Sequence, residues 1–256
     1  MTTNQTAENY DTSIALRMDD IGASTKIHEI YSKKWKGFAN ILFLKRLKSL
    51  KAWGPYNEMT LSQWQAVFAL LRKYKAKLTV GVTATWVNYD GSLEPFPRKF
   101  PEQTRVLKEA KDEGLVEIAN HGLTHCVLKD FLFRPRLFSS NRTYHREFWE
   151  WIGREAHLEH IQRSQEILSK AFDTEITTLI PPGNVYCDYT LEAAEKYGIK
   201  VLNCQTASRK YASVSILSND RVIAFHDKEI VEEGPQWLEN ILKKHKKFAF
   251  VKELAR

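Results

Sequence analysis

The 256-residue chain is long enough for one sizeable domain, and its 43% apolar and 12% aromatic content can fill a single large core. A mean hydropathy of −0.43 with 27% charged residues argues against a membrane-embedded protein. The excess of 38 Lys and Arg over 31 Asp and Glu leaves +7, which favours anionic partners or a solvated basic surface equally, and no nucleic-acid recognition motif accompanies it.

The opening "MTTNQTAENYDT" lacks the basic start and apolar middle of a secretory signal, so the expected location is the cytoplasm. "SIALRM" (13–18) reads as a strand ending in Asp19 and Asp20. "TLSQWQAVFALLRKYKA" (60–76) sets Leu61, Trp64, Phe68, Leu71 and Tyr74 along one helical face, capped by Thr60, and "KLTVGVTAT" (77–85) returns to strand. A helix over about 102–113 stops at Gly114, and the strand "LVEIAN" (115–120) runs into "HGLTH" (121–125). The crowded stretch 126–157 reads as a lid or insertion, or else as a helix around 144–154 packing Phe148, Trp149 and Trp151 onto the domain; within it Arg134 and Trp149 are candidate substrate contacts. A helix over about 154–171 follows, then "EITTLI" (175–180), a helix over about 189–197, "IKVLNC" (199–204), "RVIAFH" (221–226) and a last helix over about 235–245. No linker or repeat divides residues 1–256, so a single domain is expected. Cys126, Cys187 and Cys204 suggest neither a disulfide framework nor a zinc motif.

Alternating strands and helices imply parallel pairing, and the chemically capable residues gather at the C-terminal ends of the strands, where α/β folds build their sites. Periodicity does not separate a closed barrel from an open doubly wound sheet. If 121–125 forms a helical turn, His121 and His125 share a face and can reach one divalent ion. Asp20 is the natural third ligand, because "RMDDIG" sits at a neighbouring strand end; the adjacent Asp19 and Asp20 strengthen the reading, since two carboxylates in one cavity repel unless a cation or proton compensates. His157 and His160 have no carboxylate motif beside them and read as surface or packing residues.

Taken together, "RMDD" (17–20), "HGLTH" (121–125), "LIPPGN" (179–184) and "VIAFHD" (222–227) resemble, in order and at strand ends, the polysaccharide deacetylase family, carbohydrate esterase family 4 with its NodB-homology domain. The resemblance implies a distorted barrel of seven or eight β/α units. It implies that Asp20, His121 and His125 bind a divalent metal, most commonly zinc, that Asp19 is the general base and His226 the general acid, and that the Gly183 N–H is the oxyanion donor. Pro182 is a candidate substrate contact, and Asn184, directly after Gly183, is either a turn residue or a substrate contact. Two features depart from the family. Its Arg before the proline pair is Ile180 here, for which Arg17, two residues from Asp19 on one strand face, is a candidate substitute. Its Asp-Trp segment has no match in 201–211, and Asp227 and Glu229 are the alternative partners for His226, although Asp227 should point away from it. The expected activity is metal-dependent N-deacetylation of an N-acetylated sugar, a phosphate-bearing precursor of a surface glycan such as lipopolysaccharide or O-antigen. The alternatives are a hydrolase of a non-sugar amide on the same scaffold, or a non-catalytic carbohydrate-binding relic.

Overall fold

Strand and helix alternate as the hydrophobic pattern predicts, in a computed structural model that describes residues 13–32, 41, 43, 44, 47, 49–128 and 142–255. The first half comprises β1 (Ile14–Ile21), α1 (Thr25–His28), α2 (Leu61–Tyr74), β2 (Leu78–Val82), β3 (Thr85–Val87), β4 (Leu93–Pro95), α3 (Phe96–Lys99), α4 (Pro101–Asp112) and β5 (Val116–Asn120). The second comprises α5 (Arg154–Phe172), β6 (Thr178–Leu179), α6 (Asp188–Lys196), β7 (Val201–Asn203), β8 (Arg209–Tyr211), β9 (Val214–Leu217), β10 (Val222–His226), α7 (Asp227–Glu233), α8 (Pro235–Leu242) and β11 (Phe248–Ala249).

The main sheet runs β10-β1-β2-β5-β6-β7-β9-β8, with β11 added beside β1. Pairing is parallel from β10 to β9 and antiparallel only between β9 and β8. No pairing joins β8 to β10 among the described residues, so the sheet curls into a distorted, incompletely closed (β/α) barrel. The inner strands β1, β2 and β5 are buried along most or all of their length, as two-sided cover by helices demands. Trp64, Val67, Phe68 and Leu71 of α2 and Val106, Leu107 and Ala110 of α4 close over them. Thr60 caps α2 through a reciprocal capping box with Gln63.

The β3–β4 hairpin and the β8–β9 hairpin lie outside the expected pattern, because strands of three or four residues carry too few alternations to register as a period. The expected helix around 144–154 is instead two 3-10 turns, Arg142–His145 and Glu150–Ile152, broken before α5 by Gly153 at φ 88°. Phe148 is buried in the core of the second half as expected, whereas Trp151 is exposed.

Candidate metal centre

Two neighbouring carboxylates enter one site because β1 carries a bulge. Between Met18 and Ile21 the strand holds one residue more than its partner β2, and Asp20 absorbs it at φ +71°. In a regular strand Asp19 and Asp20 would point to opposite faces.

Asp19 stays in register with His226 on β10. Its carboxylate is gripped bidentately by Arg17, at 2.9 Å from Nε and 2.7 Å from Nη2. The remaining Arg17 Nη1 donates to Asn203 Oδ1 at 2.6 Å and Asn219 Oδ1 at 3.3 Å, which anchors the fork to the far side of the sheet. Arg17, Asp19 and Asn203 are buried, where a planar guanidinium fixes a carboxylate better than a lysine would. Ile180, a fully buried core residue, has no polar atom to offer Asp19, whereas Arg17 meets both of its carboxylate oxygens. Asp19 is nearly buried and is not among the residues lining the cavity; with His121 it flanks Gly81, where a Cβ would lie 3.5 Å from Asp19 Oδ1 and 3.4 Å from His121 Cγ.

His121 follows β5 directly, its N–H donating to Val82 O at 2.9 Å. Its Nδ1 donates to the Ile180 carbonyl at 2.7 Å, which leaves the Nε2 lone pair free to point at Asp20 Oδ1, 3.2 Å away. His125 repeats the pattern: Nδ1 meets Thr25 Oγ1 at 2.9 Å, and Nε2 lies 3.0 Å from the same Asp20 oxygen. Residues 121–125 are not the helical turn expected from their spacing. They form a bend with Gly122 at φ +85° and His125 at φ +61°, and this bend brings the two rings to 4.9 Å between centroids.

Asp20, His121 and His125 offer ligand atoms within 4.8 Å of one another, and all three residues are buried. The donor set fits a divalent ion: one carboxylate, two imidazoles with their other nitrogen engaged, and room for further ligands on an open side. A specific sign of that fit is His125 Nε2, which is buried, close to Asp20, and yet without a hydrogen-bond partner. Burial pushes the Asp20 carboxyl up, but the imidazoles of His226, His125 and His121 outweigh it and hold the group well below the usual carboxylate range. Burial likewise pushes His121 down, and its bond to Asp20 and the charges of Asp19 and Asp20 bring it above its ordinary value.

Behind Asp20 lies a second buried layer. Tyr56 Oη bridges Asp20 Oδ2 at 3.3 Å and Asp227 Oδ1 at 2.9 Å, and Lys26 binds both Asp227 and, at 2.8 Å, Glu58. Asp227 therefore points away from the cavity, as strand geometry predicts, and burial drives its carboxyl up despite Lys26. His226 faces the cavity with Glu229 Oε2 3.9 Å from Nδ1, and Trp53 sets its ring edge-on to His226 at 4.7 Å.

A cavity of about 490 Å³ opens over this group, lined by Asp20, His125 and His226, by Gly183 and Asn184, by Tyr31 and Trp53, and by Arg146 and Lys228 among others. Gly183, at φ +63°, lies so close to Arg146 that a Cβ would meet its Nε at 2.7 Å. Asn184 Oδ1 accepts from Gln205 N at 3.2 Å. Pro182 is buried against Gly122 rather than in the cavity wall, and Trp149 is also not among the lining residues. Arg134 lies outside the described residues. His160, expected as a surface or packing residue, is paired with the fully buried Glu147 at 2.7 Å. Sequence reasoning passed over Thr25, Tyr56, Asn203 and Glu147. Only Thr25 had a signal, a hydroxyl and a lysine a few residues after the acid pair.

The sequence profile of the family described as Polysaccharide deacetylase matches residues 54–202. That match contains the histidine bend and the Pro181–Pro182 turn but neither Asp19, Asp20 nor His226, which the fold brings to the same place. No curated protein sequence matches the chain. Among solved structures, a CE4 family pseudoenzyme from Bacillus anthracis is similar at TM-score 0.50 and 12% identity, over 97% of this chain and 67% of that one. A mutant of the same protein with restored enzymatic activity aligns at TM-score 0.51 and 11% identity, over 97% and 69%. A 4-alpha-glucanotransferase from Thermococcus litoralis aligns at TM-score 0.51 and 10% identity, over 94% of this chain and 40% of that one. At such identities the likeness is one of fold.

Proposed function

The chain belongs to the polysaccharide deacetylase family, a family of carbohydrate deacetylases, and from that membership we propose that it hydrolyses the acetamide of an N-acetylated sugar with Asp20, His121 and His125 holding a divalent metal ion, zinc in our reading. When bound, the ion supplies Lewis acidity, which lowers the pKa of water from ~15.7 toward ~7 and polarises an amide carbonyl. Asp19, oriented by Arg17, takes the proton of the attacking water as the new C–O bond forms. The Gly183 N–H donates to the oxygen that gains charge. His226 gives its proton to the nitrogen as the C–N bond breaks, so acetate and a free amine leave.

The observation that supports this most strongly is the alignment of Asp19 with His226 beside the Asp20, His121 and His125 cluster, although the five residues come from three separated parts of the chain. Tyr31 and Trp53 give the cavity an aromatic wall suited to a sugar ring, and Arg146 and Lys228 give it cationic groups suited to a phosphate. These favour a phosphate-bearing precursor of a surface glycan of the lipopolysaccharide or O-antigen type.

The test is acetate release from N-acetylated nucleotide sugars by the metal-loaded protein, with chelated protein and Asp19→Asn as controls. Release that disappears in both controls supports the proposal. The likeness to a pseudoenzyme motivates the second reading, a sugar-binding relic, and the intact Arg17–Asp19 pair weighs against it. Glycan binding by the metal-loaded protein with no acid released from any acylated sugar would favour that reading. Acid released only from non-sugar amides would replace the substrate class and leave the chemistry.

A further inference from the structure

Three successive backbone N–H groups of the histidine bend converge on one side chain from a distant stretch. Glu147 Oε1 accepts from Leu123 N at 2.9 Å, and Oε2 accepts from Thr124 N at 3.2 Å and His125 N at 2.9 Å. The fit is tight: a Cβ on Gly122 would stand 2.1 Å from Oε2, so only glycine lets the backbone wrap this closely. Such a concave run of N–H groups is an anion nest, and here the anion is built into the chain. Glu147 is completely buried, and a lone carboxylate there would carry a heavy desolvation cost. His160 of α5 offsets it, with Nδ1 2.7 Å from Oε1. Burial pushes the Glu147 carboxyl up, yet the His160 imidazole and the loop N–H groups bring it below the ordinary carboxylate value; His160 in turn is raised by Glu147 against its own burial.

The clamp matters for the ligand set because of what it holds. His125 adopts φ +61°, a left-handed conformation that a residue with a Cβ rarely takes, and its own N–H is one of the three bound groups. Its ring then places Nε2 3.0 Å from Asp20 Oδ1. Helical spacing does not explain the approach of His121 and His125, since the bend is not helical. Glu147 explains it.

We propose that Glu147, backed by His160, is a positioning residue that presents His125 for coordination and thereby sets the affinity and geometry of the metal centre. This rests on the reading of Asp20, His121 and His125 as metal ligands. It gives the stretch around residue 147 a task other than substrate contact: it locks the ligand loop from behind.

The experiment is titration of the purified full-length protein with Co²⁺ against a competing chelator, following visible d–d absorption, with melting temperatures of the metal-free forms measured in parallel. Glu147→Gln, which sets an amide NH₂ against the converging N–H groups, should weaken Co²⁺ binding by about 10- to 100-fold and change the absorption spectrum. His160→Gln leaves the carboxylate in place and should weaken binding several-fold, in the range of about 3 to 10, which keeps the test available if Glu147→Gln does not fold. Both variants binding Co²⁺ with wild-type affinity and spectrum, even at a lower melting temperature, would reduce Glu147 to a structural residue and overturn the inference alone. A wild-type protein that takes up no Co²⁺ would overturn the functional reading, and this inference with it.

Discussion

In the proposed reaction, Arg17 fixes how Asp19 would act as the base. The guanidinium meets both carboxylate oxygens and is itself tied to Asn203 and Asn219, so the carboxylate has one orientation rather than several. Lysine retains the charge but cannot make the two parallel bonds. Arg17→Lys should therefore lower kcat by about 10²-fold, with KM and metal content close to wild type; equal loss of metal would mean that Arg17 supports the ligand set rather than the base. Asp19→Asn should cost more, about 10³- to 10⁴-fold in kcat, again with metal retained as measured by elemental analysis. A different residue gives a pH handle away from the ligands. Half-buried His28 is held down at about 4, first by burial and then by the charge of His145. Its folded form stays neutral while the unfolded chain protonates below about 6.5, so the unfolded state binds more protons and stability falls as pH drops from there towards 4. Solvent screening at a half-exposed ring leaves about 1 kcal/mol of the effect. In chelated protein, His28→Gln should gain about that much relative to wild type between pH 7 and 5 in urea melts; parallel curves would refute it.

Two irregular elements build the site, and neither is visible as a period. The bulge in β1 places Asp20 at φ +71°, and asparagine tolerates that conformation better than alanine does. Asp20→Asn should thus keep the metal-free melting temperature and lose metal affinity, whereas Asp20→Ala should lose both, with about 1 kcal/mol less stability. Equal metal-free stability of the two variants would mean that the bulge is held by its neighbours rather than by the residue. The long strands and helices were legible because each has enough residues to show alternation or a helical stripe: α2 with Thr60 and its buried face is the clearest case. The acid pair and the two histidines were legible by spacing, but the reason for their approach was not. A bulge, a left-handed His125 and a carboxylate 22 residues away leave no pattern in one sequence. The same holds for the three- and four-residue strands of the β8–β9 hairpin and for Asn203, whose side chain completes the grip on Arg17 from 186 residues away.

At the scale of the whole molecule, the candidate ligand cluster would, with an ion bound, cross-link the mouth of a barrel that hydrogen bonding among the described residues leaves open. Asp20 ends β1, His121 and His125 follow β5, and β2 lies between them in the sheet, so one ion would tie across a strand. The buried chain Asp20, Tyr56, Asp227, Lys26 extends the tie to the start of α7, and Thr25 extends it from His125 to α1. Of these groups, Asp20 Oδ1 with the two imidazole Nε2 atoms at 3.2 and 3.0 Å is the set that a cation would join. Metal binding to the native state alone adds RT ln(1 + [M]/Kd), about 4 kcal/mol at a thousandfold excess over Kd. For a chain of this size each kcal/mol is worth about 2–4 °C, so stripping the metal should lower the melting temperature by about 10 °C, and restoring Zn²⁺ should recover it. His121→Gln should melt like the stripped wild type and be indifferent to Zn²⁺. The rise must also grow with the logarithm of free Zn²⁺, because the stabilisation is mass action on a site present only in the folded chain. A melting temperature that ignores Zn²⁺, or a His121→Gln variant that still responds to it, would mean that the cluster does not cross-link the barrel mouth.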